Sequence, residues 1–343
     1  MKVTTVGIDL AKNVFSVHGV DERGKTVLKR TVSRGKLLEF MANLPQCLVG
    51  MEACSGAHYW AREFLKLGHR VGIMASRFVR PYRKSEKNDG NDAEAICEAV
   101  SRPNMRFVPV KSEEQQAVLA VHRIRQELVS QRTALINHMR GLLSEFGIVM
   151  PKGRYQARHH ITELFNGADT ALPELAMYSL REVYLRIQDM DERILVYDRQ
   201  IAALANDSET ARRLMTVPGV GAVTATAIVA SVGDAGVFSN GRQFAAWLGL
   251  VPRQYTTGGK TRLGRITKRG DVYLRTLLIH GTRAVLSRLG ERTDRISQWT
   301  RKLIDRRGYR KAAVALAAKN ARIIWSILAN GGTYRPAEQV AVG

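Results

Sequence analysis

Four acidic residues stand where they could do chemistry: Asp9, Glu52, Asp89 and Asp92. Asp9 ends a run rich in valine, threonine and isoleucine that begins at Val3, and such a run reads as a strand. Glu52 ends a second short apolar strand, Gln46 to Met51. A carboxylate at the end of a buried strand is costly unless it is paired or binds a cation. Taken singly, Asp9 is open to reading as a turn aspartate. Asp89 and Asp92, three residues apart, share one face of a helical turn; alone they fit a capping box and a solvated acidic face. Taken together, four carboxylates form a ligand set for hard divalent cations such as Mg²⁺. Two such ions about 3.5–4 Å apart activate a nucleophile and stabilise the leaving oxygen of a phosphodiester.

The elements around these acids read as a mixed α/β sheet. Val14 to Val20 alternates as a second strand, Asp21 to Gly24 is a turn, and Thr26 to Val32 is a third strand, which makes a three-strand meander. Helix Lys36 to Asn43, the strand ending at Glu52, helix Tyr59 to Leu67 and strand Val71 to Met74 follow. Hairpin strands followed by alternating helix and strand point to one mixed sheet, with Asp9 and Glu52 at one of its edges. Asn88 or Asp89 caps a helix running to about Val100.

The chain is basic: 53 Lys and Arg against 31 Asp and Glu give a net charge of +22 and a pI near 10.4. That excess implies a polyanionic partner. No apolar run approaches the roughly 20 residues of a spanning helix and no signal peptide is present, so nucleic acid is expected rather than membrane. Cys47, Cys54 and Cys97 form no CxxC pair, which suits a reducing cytoplasm. The eight histidines show no zinc spacing.

With these residues in view, the chain resembles the DEDD transposases, a family that contains bridge-RNA-guided insertion-sequence recombinases and Piv-type DNA invertases. The resemblance rests on Gly7-Ile8-Asp9-Leu10-Ala11-Lys12, on Met51-Glu52-Ala53, and on Lys87-Asn88-Asp89 followed by Asp92-Ala93. It implies an RNase H-like, RuvC-like domain in which Asp9, Glu52, Asp89 and Asp92 hold Mg²⁺, with a two-metal site.

Between Ser112 and Phe146 there is no proline and one glycine, Gly141; Val121, Leu128, Leu135 and Leu142 recur every seven residues. A second run, Leu180, Val183, Ile187, Met190, Ile194, Tyr197, Ile201 and Leu204, keeps a spacing of three and four, the pattern of a heptad seam. Two long helices joined by residues 147–173 suggest an antiparallel hairpin or a dimerising coiled coil. The resemblance implies a coiled-coil insertion used in assembly and RNA contact.

Further on, Thr216-Val217-Pro218-Gly219-Val220-Gly221 lies between helical patterns at Glu209 to Met215 and Ala222 to Val232. This is a helix-hairpin-helix-like pattern, in which Gly219 and Gly221 would expose backbone N–H groups to a phosphate; a plain helix–helix turn has the same glycine signal. A glycine-flexible loop then carries Thr256, Thr257, Gly258 and Gly259, flanked by Arg253, Lys260, Arg262, Arg265, Lys268 and Arg269. Such a loop grips DNA phosphates without chemistry. The resemblance implies more: a serine just before the glycine attacks DNA to form a phosphoserine link. Here Thr257 stands in that place, preceded by Thr256, and the loop has no serine. A threonine hydroxyl is a nucleophile when activated. Thr257 is therefore the first candidate and Thr256 the second. Val272 to Leu289, Arg292 to Ile304 and Arg310 to Leu328 read as helices, with a basic cluster at Arg301, Lys302, Arg306, Arg307, Arg310 and Lys311.

The expected organisation is a catalytic RNase H-like (RuvC-like) α/β domain over 1–111, a long-helix coiled-coil region over 112–205, an α-helical C-terminal domain with the helix-hairpin-helix-like motif and hydroxyl loop over 206–330, and a disordered tail over 331–343. The expected function is Mg²⁺-dependent DNA strand cleavage and exchange through a hydroxyl-linked protein–DNA intermediate, in the bacterial cytoplasm. The resemblance also implies a guide RNA and a homo-oligomer, dimer or tetramer, in which acids of one subunit meet the hydroxyl of another. The rival is a two-metal, RuvC-like junction resolvase with water as nucleophile. A small-molecule kinase, which also opens on Gly-Ile-Asp, lacks a further phosphate loop, and a purely nucleic-acid-binding protein leaves the acids unexplained.

Overall fold

A computed structural model describes residues 2–84, 88–166, 172–290 and 293–336. It divides into two compact units, residues 1–114 and 115–343. Lys87 of the acidic motif, Arg292 and residues 337–343 of the expected tail lie outside the described residues.

The first unit runs β1 (Thr5–Asp9), β2 (Val14–Val20), β3 (Thr26–Ser33), α1 (Leu37–Ala42), β4 (Leu48–Glu52), α2 (Ala57–Lys66), β5 (Arg70–Met74), α3 (Ser76–Val79), α4 (Asp89–Val100) and β6 (Phe107–Val108). The six strands form one mixed sheet in the order β3-β2-β1-β4-β5-β6. β1, β2 and β3 are the antiparallel meander. β4 and β5 run parallel to β1, and β6 returns antiparallel to β5. The two residues of β6 carry too little pattern to be read from sequence.

Alternation along the strands splits the sheet's residues between two faces. Val6, Ile8, Val49 and Met51 enter a core with Phe15, Leu37, Met41, Trp60 and Phe64. The opposite face carries Gly7, Gly50 and Gly72, which stand in register across β1, β4 and β5. α4 lies against this glycine stripe. A Cβ on Gly7 would come within 2.3 Å of the Ala93 carbonyl oxygen, and one on Gly50 within 2.7 Å of the Val100 Cβ. Asp9 and Glu52 follow Gly7 and Gly50 by two residues, so they point to the same face as the helix. Asn88 starts that helix by accepting from the Gly90 N–H at 2.9 Å, a side-chain cap.

The second unit holds α5 (Glu113–Glu145, whose first two residues belong to the first unit), α6 (Arg154–Asn166), α7 (Glu174–Asp207), α8 (Glu209–Met215), α9 (Ala222–Val232), α10 (Gly241–Trp247), β7 (Pro252–Thr257), β8 (Lys260–Ile266), α11 (Val272–Ser287), α12 (Arg295–Arg307) and α13 (Tyr309–Asn330). α6 lies inside the segment expected to be a linker.

α5 and α7 pair antiparallel. Arg125 meets Asp198 at 2.5 Å and Arg132 meets Asp191 at 2.6 Å: seven residues forward on one helix match seven back on the other. The same step relates Ile136 and Leu143 to Ile187 and Leu180, which share one core. On α7 the buried residues include Leu180, Ile187, Ile194 and Ile201, within the expected seam. On α5 the buried stripe is His122, Arg132, Ile136, Met139 and Leu143, and Leu142 is exposed. The seam therefore lies one residue beyond the Val121–Leu128–Leu135–Leu142 stripe, because two of its positions are arginines that hydrophobic spacing overlooks.

The remaining helices pack around Leu214, Ile228, Phe244, Leu274, Leu278 and Ile324. α13 corrects one expectation: by length and composition it is apolar enough to cross a membrane. Here its Ala317, Ala321, Ile324 and Ile327 are buried in this core. The stretch expected to be a disordered tail begins docked, with the Tyr334 N–H donating to Thr216 Oγ1 at 2.8 Å.

Candidate active site

The sheet and α4 bring three of the four expected acids together. Carboxylate oxygens of Asp9, Asp89 and Asp92 all lie within 4.8 Å of one another. Asp92 is buried, Asp9 half-buried and Asp89 exposed. Burial first, then the charges of Asp92, Asp89 and Glu52, push the Asp9 carboxyl up to about 6, and Arg83 acts against that rise.

Glu52 stands beside this group rather than in it. Its Oε2 accepts from the Ser76 hydroxyl at 2.7 Å, and its Oε1 lies 3.9 Å from Arg83 Nη2. Arg83 Nε meets Asp92 Oδ1 at 2.5 Å. Among the described residues, Glu52 Oε1, Arg83 Nε and Asp92 Oδ1 are all buried without a hydrogen-bond partner. Sequence reasoning missed Ser76 and Arg83. The available signal was the basic run Arg77, Arg80 and Arg83 between the second acid and the third.

The donor set fits divalent metal. It is all oxygen, crowded with like charge, and includes a buried carboxylate oxygen with no hydrogen-bond donor among the described residues, which suits a hard cation. Asp9, Asp89 and Asp92 would hold the ion, with Glu52 within reach of the same charge cluster. Next to Asp89 an open cleft of about 750 Å³ is lined by Lys12, Lys29, Arg30, Asn88 and Asn91 among others.

In the second unit the hydroxyl segment is no loop. It is the antiparallel ribbon β7–β8, turned at Gly258 and Gly259, whose φ values of 55° and 75° are those of a tight hairpin turn favouring glycine. Every residue of β7 is exposed, as is all of β8 except Ile266. Sequence reading missed the strands because neither face is buried, which leaves no alternating apolar signal.

Pairing separates the two threonines. Thr257 pairs with Lys260 and Tyr255 with Arg262, whereas Thr256 pairs with Thr261 and Gln254 with Leu263. Thr257 therefore shares one face with Tyr255, Lys260 and Arg262, and Thr256 lies on the other. Arg253, Arg265, Lys268 and Arg269 are exposed around the ribbon's root. That root is tied to the core by Thr267 N–H to the Val251 carbonyl at 2.9 Å and by buried Arg275 to the Leu248 carbonyl at 3.1 Å.

The expected phosphate turn, 216–221, joins α8 to α9. Gly219, at φ +84°, packs against α11: a Cβ there would lie 2.7 Å from the Gly281 carbonyl oxygen. The Pro218 carbonyl accepts from Asn320 Nδ2 at 2.8 Å. Gly219 thus serves packing, while Gly221 at the start of α9 is open, with no atom within 4 Å of an added Cβ.

Residues 6–148 match a family of DEDD transposases of the IS110 type, and residues 211–298 match the family described as "Transposase IS116/IS110/IS902 family". A probable family 20 transposase of Pseudomonas aeruginosa is 51% identical over 98% of this chain and 100% of its own length. The transposase for insertion sequence element IS1111A of Coxiella burnetii is 44% identical, covering 97% and 92%. More distantly, a pilin gene-inverting protein of Moraxella lacunata is 24% identical over 75% of each chain.

Proposed function

This chain belongs to the IS116/IS110/IS902 family of transposases, and from that premise we propose that it cuts and exchanges DNA strands with Mg²⁺ through a covalent threonyl link. The observation that carries the reading is the convergence of Asp9, Asp89 and Asp92 on one sheet edge, with Glu52 beside them. The first unit is then an RNase H-like, RuvC-like domain. Its support is a mixed sheet whose adjacent parallel strands β1 and β4 both end in acids.

When bound, a pair of Mg²⁺ ions supplies positive charge that lowers the pKa of an attacking hydroxyl and stabilises the phosphoryl oxygens. Asp9, Asp89, Asp92 and Glu52 would hold the ions. Thr257 Oγ forms a bond to the scissile phosphorus as the bond from phosphorus to the 3′ oxygen breaks. The hydroxyl proton ends on the departing oxygen, leaving a 3′-hydroxyl and a 5′-phosphothreonine. Rejoining reverses these steps with another 3′-hydroxyl, so the phosphodiester energy is conserved. Lys260 and Arg262, on the Thr257 face, neutralise charge developing on the phosphorus oxygens.

The partners are element ends and target DNA, and a bridge RNA as guide. The net charge of +22 supports a polyanion-binding surface larger than one duplex contact. The chain works as a homo-oligomer, dimer or tetramer, with the hydroxyl of one subunit serving the acids of another. Tyr178, Leu185 and Leu195, exposed on α7, support self-association. The reaction takes place in the bacterial cytoplasm, on nucleoid DNA.

Cleavage of DNA carrying the element ends tests the reading. Asp9→Ala should abolish strand cleavage while circular dichroism and melting show an intact fold. Recombination by that variant at the wild-type rate would sink the metal-centre assignment.

A further inference from the structure

Arg83 is a cation already placed among the acids. It follows the single turn Arg80–Tyr82 on extended backbone, φ −70° and ψ 126°, which directs its side chain toward Glu52 and Asp92. Its guanidinium lies 2.5 Å from Asp92 Oδ1 and 3.9 Å from Glu52 Oε1. Asp92 is 5% exposed, and the two oxygens facing Arg83 are buried without hydrogen-bond partners among the described residues.

The geometry of the contact is informative. A structural arginine–carboxylate pair normally engages its fork in one or two aligned N–H bonds. Arg83 does not: its Nε meets Asp92 off axis and its Nη2 stops short of Glu52. Nearby Lys84 hydrogen-bonds Glu94 at 2.6 Å. Among the described residues no hydrogen bond ties Arg83 to Asp92 or Glu52, and its side chain keeps 27% of its surface exposed, which leaves it a route out to solvent.

A divalent ion and a guanidinium cannot both sit against the same carboxylate oxygens without strong mutual repulsion. We infer that Arg83 is a displaceable internal counter-cation, which holds Glu52 and Asp92 in the ion-poor chain and is expelled when a divalent ion takes those oxygens. The inference rests on the metal-centre reading above and extends it: ion binding and Arg83 release become one linked equilibrium. A polyanion that receives the expelled guanidinium would favour loading of the site.

The test is direct titration of the full-length protein with Mn²⁺ alone, followed by calorimetry and by the spin resonance signal of unbound Mn²⁺. Arg83→Gln should tighten Mn²⁺ binding by about tenfold, the scale of one opposite charge at this range. It should also lower the melting temperature of the ion-free protein. Arg83→Lys should fall between the two, and Lys84→Gln, beside the site but paired with Glu94, should match wild type. On the wild-type chain, ¹⁵N-arginine spectra, assigned against Arg83→Lys, should show the Arg83 Nε signal released on adding Mg²⁺; this readout needs no destabilised variant. Equal or weaker Mn²⁺ binding in Arg83→Gln, or an Arg83 signal that Mg²⁺ leaves unchanged, would overturn the inference while the metal centre stood. Absence of Mn²⁺ binding in wild type and variant alike would overturn both.

Discussion

Thr256 faces Thr261 across the β7–β8 ribbon, with their hydroxyl oxygens 3.2 Å apart. Thr256 Oγ1 also accepts from Gln254 Nε2 at 3.1 Å. Its hydroxyl is thus engaged on one face of the ribbon, while Thr257 stands on the other with Tyr255, Lys260 and Arg262.

This asymmetry predicts where DNA becomes linked. The adduct should form on Thr257. Thr257→Ser should react at least as fast, since it removes a methyl that crowds the attack, and Thr257→Val should be inactive. Thr256→Val should keep most activity. Mass spectrometry of protease-digested reactions on a nicked suicide substrate locates the link. An adduct on Thr256 would move the assignment by one residue, and turnover with no adduct would favour the water-using resolvase.

The acids were legible because each lies at the end, or in the first turn, of an element with a strong local signature. β1 and β4 are short apolar runs, and Asn88 caps α4 as its residue type suggests. The helix bounds Glu209–Met215 and Ala222–Val232 match their sequence reading, since Ser208 caps one and glycines flank the other. What escaped lay in tertiary pairing. Ser76 bonds Glu52, and Arg83 comes near it, only through the fold that brings β4 beside the segment after β5. The α5 stripe was displaced by one residue because Arg125 and Arg132 are satisfied by aspartates on α7. The Thr256–Thr257 ribbon hid because exposed strands bury nothing.

Asp9 gives the site a pH signature. Its carboxyl is raised from 3.8 to about 6, by burial first and then by Asp92, Asp89 and Glu52. Between those values the folded chain keeps a proton that the unfolded chain has lost, so this contribution to metal-free stability falls as pH rises through the window. Asp9→Asn removes the penalty. The melting temperature of metal-free Asp9→Asn minus that of wild type should therefore grow from pH 4 to pH 7. Divalent-ion stabilisation should fall in wild type as pH drops below about 6, and be largely lost in the variant at any pH. A constant difference across that range would contradict the raised value.

The basic surface predicts a steep salt dependence. Log affinity for DNA or RNA should fall linearly with log salt, with a slope of about −0.9 per phosphate neutralised on duplex. Exchanging both Lys260 and Arg262 for alanine should make the slope shallower by about two. Fluorescence anisotropy between low and high salt measures this. Binding that stays flat across the range would remove the basic surface as the footprint.

The α5–α7 pair makes a separate claim about stability. Arg132 is buried, bonds Asp191 at 2.6 Å, and Asp191 also lies 3.5 Å from Arg158. Arg132→Ala removes a buried side chain and leaves the partly buried Asp191 with the more distant Arg158, and should cost about 1–3 kcal/mol. Arg132→Met with Asp191→Leu should recover most of that loss, since an apolar pair of similar size suits the seam. Denaturant melts of the single and double variants decide it. A double variant no more stable than the single would show that the ion pair fixes the helix register as well as filling it.

Gly7 stands two residues before the first acid. α4 is seated so closely on β1 that a Cβ at Gly7 would lie 2.3 Å from both the Ala93 carbonyl oxygen and the Cys97 nitrogen. Both neighbours are backbone of one helix, so a rotamer change cannot relieve the clash; the helix itself must lift. Overpacking of this kind costs about 1–3 kcal/mol or more. Lifting α4 also carries Asp89 and Asp92 away from Asp9, and misplacement by about 1 Å is enough to lower a rate by about a hundredfold. Gly7→Ala should therefore lose cleavage and Mn²⁺ affinity out of proportion to its lost stability. Gly35→Ala, where an added Cβ meets no atom within 4 Å, should change neither. Paired measurements of melting temperature, Mn²⁺ binding and cleavage on the two variants make the comparison. A Gly7→Ala protein that melts lower yet binds Mn²⁺ and cleaves like wild type would show that the glycine stripe serves the fold alone and does not set the spacing of the acids.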